Sequence, residues 1–120
     1  MNTMNALEKQ FYSEVKESID YYLDLFVKSV TNPKADNLWM DDKEKIAYQH
    51  LQKINLSQKD IEAIRSVIHG ICVGIVHSLF VSIDGGTALS DHGKALELID
   101  KKINKSLTDG ALHENFMEYF

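Results

Sequence analysis

His69 and His77 lie in the most apolar stretch of the chain with Cys72 between them, the first place to look for a metal or a nucleophile. On a helix, eight residues separate the two imidazoles by about 12 Å and rotate them by about 80°. Two ligands of one zinc each lie about 2.1 Å from the ion, so this pair cannot share a metal. His69 and Cys72, three apart, could share one or form a Cys–His dyad, but the sequence names no further ligand or orienting group. Packed, hydrogen-bonded side chains are the default reading for all three. His113-Glu114 resembles the start of a zinc-protease helix, yet the position four after His113 is Met117, so the motif is absent. Gly85-Gly86 is no phosphate loop: it follows a helix, lacks the lysine, and sits beside Asp84 and Asp91, which repel phosphate. These spacings supply no catalytic residue, no metal ligand and no cofactor, and the chain reads as a non-enzyme.

The acidic residues are distributed more tellingly. Asp84, Asp91, Glu97 and Asp100 face a single Lys94 in sequence, and Asp109, Glu114 and Glu118 have no basic neighbour within 109–120. A solvated surface accounts for each cluster alone. Together they put most of the unbalanced negative charge in the C-terminal third, where a basic partner protein would be steered by it. The overall balance, 18 Asp and Glu against 13 Lys and Arg, argues against a nucleic-acid binder, whose footprint is a basic patch. Asp84, Asp91, Asp100, Glu114 and Glu118 are the candidate partner-binding residues.

The elements that must position these groups follow from the apolar spacing. Leu7, Phe11, Val15, Ile19, Tyr22, Phe26 and Val30 recur every three or four residues and predict a helix from Asn5 to Val30, with Glu8 among the residues on its polar side. Asn32-Pro33 ends it, because the residue before proline is driven out of the helical region. Asp41 or Asp42 caps a second helix carrying Ile46, Tyr48, Leu51 and Ile54, and Asn55 breaks it. Ser57-Gln-Lys-Asp60 has the form of a capping box, with Asp in place of Glu or Gln, and opens a third helix running to Ile83.

That third helix would be about 39 Å long, long enough to cross a domain of this size. Residues 66–83 pass without a formal charge, which meets the usual length for a membrane span. Two His, two Gly and three Ser inside the stretch, and Arg65 and Asp84 at its edges, favour a buried central helix instead. Ser66, Gly70, Gly74 and Ser78 form a ridge of small residues along it, expected to seat a neighbouring helix within the monomer. Asp84-Gly85-Gly86 stops the helix. Residues 95–107 read either as a short helix or as a small hairpin about a Lys101–Asn104 turn, with the hairpin preferred. Asp109 is expected to cap a last helix carrying Leu112 and Phe116. The expected architecture is a single, mostly helical domain over 1–120, with about four helices packed around a long central apolar helix at 58–83.

Two stretches resemble a known group of proteins: His77-Ser-Leu-Phe-Val-Ser-Ile-Asp-Gly-Gly-Thr-Ala-Leu-Ser-Asp91 and the closing Gly110-Ala-Leu-His-Glu-Asn-Phe-Met-Glu-Tyr-Phe120. They look like small bacterial immunity proteins of polymorphic toxin and contact-dependent growth inhibition systems. The resemblance implies an inhibitor that binds one cognate toxin domain, often a basic nuclease, and blocks its active site or substrate surface. A lone cysteine and no signal-peptide pattern place such a protein in the cytoplasm, with no membrane partner. The alternatives are a small metal-dependent or hydrolytic enzyme using His69, His77 or His113, and an adaptor for a partner that is not a toxin.

Overall fold

A computed structural model describes residues 5–34, 41–84, 97–107 and 112–120. Within them the chain is mostly helical: α1 spans Ala6–Thr31, α2 Asp42–Lys53, α3 Gln58–Ile83 and α4 Leu112–Tyr119. A two-stranded antiparallel hairpin, β1 Ile99–Asp100 and β2 Lys105–Ser106, lies between α3 and α4 in sequence. The helical architecture, the 58–83 helix and the hairpin match the sequence expectation. Gly85, Gly86, Asp91 and Asp109, named above for the stop of the third helix, the acidic patch and the last cap, lie outside the described residues.

Local chemistry sets the helix limits. Asn5 caps α1, its Oδ1 accepting the Glu8 N–H at 2.7 Å. Asp41, rather than Asp42, caps α2 by accepting the Glu44 N–H at 2.7 Å. Asn55 follows α2 in the left-handed region at φ 59°, a conformation Asn tolerates better than most residues. Ser57 and Asp60 make the reciprocal capping pair in full: Ser57 Oγ accepts the Asp60 N–H and Asp60 Oδ2 accepts the Ser57 N–H, both at 3.0 Å. Those hydrogen bonds hold the Asp60 carboxyl below its ordinary pKa.

The chain divides into two compact units, Met1–Lys16 with Cys72–Phe120, and Glu17–Ile71. The core of the first is aromatic: Tyr12, Phe80, Leu107, Leu112 and Phe116 are buried, and Phe80 meets Phe116 edge-on at 5.1 Å. The second buries Ile19, Leu23, Val30 and Ile61. There Gln52 Nε2 donates to the Ser29 carbonyl at 2.6 Å, and Arg65 pairs with Asp24 at 3.1 Å on the surface.

Two expectations about buried faces are corrected. Glu8, assigned to the polar side of α1, is only 2% exposed. Its Oε2 accepts from Asn115 Nδ2 at 2.7 Å and from the Tyr12 hydroxyl at 2.9 Å, so the buried carboxylate is satisfied by hydrogen bonds. The buried line of α1 is therefore Glu8, Tyr12, Ile19, Leu23 and Val30, and Tyr22, expected inward, is exposed. The second correction concerns α3. Its covered side is Ile61, Ile64, Ile68, Val73, Val76 and Phe80, while Ser66, Gly70, Gly74 and Ser78 are exposed. Among the described residues no helix seats on that ridge: a Cβ added at Gly70 or Gly74 would meet nothing within 4 Å.

Candidate functional site

The four acidic candidates among the described residues, Asp84, Asp100, Glu114 and Glu118, are placed differently in the fold. Asp84 ends α3 and turns its carboxylate onto the start of α4: Oδ1 accepts the Leu112 N–H at 3.1 Å and Oδ2 the His113 N–H at 2.9 Å. Its side chain caps the first turn of a helix 28 residues further on. Its Oδ2 also lies 2.5 Å from His113 Nδ1. With three neighbours inside the fold, its side chain is largely withdrawn from a partner. Asp100 is partly committed too, since its Oδ1 accepts the Lys102 N–H at 2.9 Å and steadies the hairpin turn.

Glu114 and Glu118 remain exposed, one turn apart on α4, with Met117 beside them at 48% exposure. Among the described residues no ion pair reaches either carboxylate. The opposite side of α4, Leu112, Asn115 and Phe116, is buried, so the acidic side is presented on a fixed support. Met117 between two carboxylates is an apolar contact with a charged rim, a pattern protein interfaces use.

The histidines are brought together in part. His77 and His113 stack edge-on with centroids 5.6 Å apart, and Asp84 orients the His113 ring through Nδ1. Sequence alone missed this Asp–His contact because 29 residues separate the pair. Among the described residues no three His, Cys, Asp or Glu side chains are placed to hold a metal ion. A cavity of about 270 Å³ opens between α1 and the hairpin, lined by Leu7, Phe11, Leu98 and Leu107 with Gln10, Glu14 and Asp100.

Among the described residues, α3 carries a row of exposed apolar side chains. Val67, Ile71, Ile75 and Leu79, each one position after a member of the small ridge, are 63, 55, 57 and 58% exposed. By length and composition α3 could cross a membrane, and only 6% of its most apolar 18-residue window is buried. The apolar helix and its small ridge are legible in the sequence, but with every side apolar the spacing carries no signal for which side the fold leaves open.

Compared with known protein families, curated proteins and solved structures, the chain matches none.

Proposed function

We propose that this protein is an immunity partner that binds one cognate bacterial toxin domain, a basic nuclease, and occludes its active site or substrate surface. The observation that carries this reading is the acidic side of α4, where Glu114 and Glu118 stand exposed around Met117 on a helix anchored by its buried face. Carboxylates in that position stand in for nucleic-acid phosphates against the Lys and Arg of a nuclease, steering the encounter and fixing the orientation. The net charge of −5 and the resemblance of the C-terminal third to toxin immunity proteins support the same conclusion. Asp84 contributes indirectly by capping α4, Asp100 stands at the hairpin edge, and the complex forms in the cytoplasm of the toxin-producing cell.

The test is to sequence the genes flanking this one for a toxin domain, co-express that domain with this protein, and measure binding kinetics with the purified pair; flanking genes that encode no toxin would count against the function. The wild type should rescue growth. The double substitution Glu114→Lys and Glu118→Lys should slow association about tenfold at low salt and flatten its salt dependence. Unchanged rates and an unchanged salt slope would refute the electrostatic mechanism, and no binding by the wild type would refute the function.

One observation favours a second reading, a hydrolytic enzyme. A carboxylate on His113 Nδ1 is how general-base histidines are oriented, and Asp84 makes that contact. Hydrolysis of a panel of ester, amide and phosphoester substrates that is lost in His113→Gln would establish it.

A further inference from the structure

We propose that the open side of α3 is a dimer interface and that its occupant is a second copy of this chain. Two rows of side chains run along that side. Ser66, Gly70, Gly74 and Ser78 make a groove along one i, i+4 line, and Val67, Ile71, Ile75 and Leu79 make a ridge along the next. Rows of this kind interdigitate when two helices cross at about −50°, the ridge of each lying in the groove of the other. A two-fold axis generates both contacts at once from a single helix. A different partner would have to supply both rows independently; a copy of the chain has them already. Gly70 and Gly74 have open space where a Cβ would stand, so the two backbones can approach closely there.

Charge and area agree with this occupant. Two chains of net charge −5 repel each other, and residues 66–83 are the long stretch where they can meet without placing carboxylate against carboxylate. Four branched side chains more than half exposed, with the groove beside them, offer on the order of 500 Å² per copy, or about 1,000 Å² in all, the lower edge of specific interfaces. A dimer dissociating in the micromolar range is the consequence.

A lipid bilayer fits the same surface less well. A lone spanning helix meets lipid on every side, whereas Val73, Val76 and Phe80 of α3 pack into the aromatic core with Tyr12 and Phe116. A helix lying on the membrane surface is typically edged with Lys and Arg, and residues 66–83 contain neither.

Sedimentation velocity on the full chain from about 1 to 200 µM tests the proposal without any toxin present. The mass should rise from 13.7 kDa towards twice that value across the series. Ile75→Lys should raise the dissociation constant at least about 100-fold while leaving the far-UV circular dichroism unchanged, because it places a lysine in the seam of both copies. Ile103→Lys, at an exposed hairpin position, should leave the dimer intact. Gly74→Leu fills the groove from a position with free space around it, and should give a folded monomer even if Ile75→Lys loses structure. Three results overturn the proposal: a wild type that stays at 13.7 kDa throughout, groove and ridge variants that dimerise like the wild type, or a wild type that co-sediments with vesicles of phosphatidylcholine and phosphatidylglycerol through Ile75.

Discussion

Replacing Gly74 with alanine separates an open helix face from a packed one by the sign of the stability change. In a helix interior, glycine is less favourable than alanine by about 0.5–1 kcal/mol, because its backbone has more freedom to lose on folding. At Gly74 that gain meets no steric cost within the monomer, since a Cβ there has no neighbour within 4 Å. Gly74→Ala should therefore stabilise the isolated chain by about 0.5–1 kcal/mol, a rise of about 2–5 °C in midpoint for a protein of this size. Were the ridge packed against another helix of the same chain, an added methyl group would strain that contact. Overpacking of that kind costs roughly 1–3 kcal/mol, opposite in sign. The assay is thermal and urea unfolding at about 1 µM, where the protein is monomeric, with the urea slope checked so that the change reports stability and not compactness. Repeating the melt at about 200 µM adds an internal control. Dimerisation stabilises by mass action, so the wild-type midpoint should climb with concentration, and that of Gly74→Ala should climb less. A destabilised Gly74→Ala at the low concentration would refute the placement of this face.

Three further outcomes follow from the first unit. Glu8→Ala leaves the Asn115 amide without its carboxylate acceptor in a buried setting, and should cost about 2–4 kcal/mol in urea unfolding; a loss under 0.5 kcal/mol would show that the network is dispensable. Asp84→Ala removes the cap of α4 and should cost about 1–2 kcal/mol, with hydrogen exchange at the Leu112 and His113 amides quickening most; equal quickening across α3 would point to a different role. The Tyr12 phenol is raised well above its ordinary 10.0, first by burial and then by its hydrogen bond to Glu8. Its folded pKa exceeds its unfolded one, so its contribution to stability is complete below pH 10 and declines as pH rises above it. Ultraviolet titration should therefore find Tyr12 un-ionised until the chain unfolds, and a phenolate at that position in the folded protein at pH 10.5 would contradict the burial.

Much of the fold was legible along the chain because short-range chemistry decides it. The Ser57–Asp60 pair and the 3.6-residue spacing of isoleucines and valines set where α3 begins and how far it runs, since both act within a turn or two. The same holds for the cap at Asp41, the break at Asn55 and the hairpin turn steadied by Asp100 and Asn104, where φ is 52°. The acidic bias of the C-terminal third was also visible, because it is composition.

Tertiary structure alone decided what each face does. Residues 66–83 are apolar all round, so periodicity held no information on which side the fold would cover. Packing against Tyr12 and Phe116 chose the side bearing Val73, Val76 and Phe80, and left Val67, Ile71, Ile75 and Leu79 open. Glu8 reads as a surface residue until Tyr12 and Asn115 bring it the hydrogen bonds that make burial tolerable. Asp84 reads as part of an acidic patch until α4 brings two backbone amides and His113 to its carboxylate. Glu114 and Glu118 stay exposed because no ion pair among the described residues claims them. The long apolar helix was written in the sequence, and which of its faces remained free was a matter of three-dimensional packing.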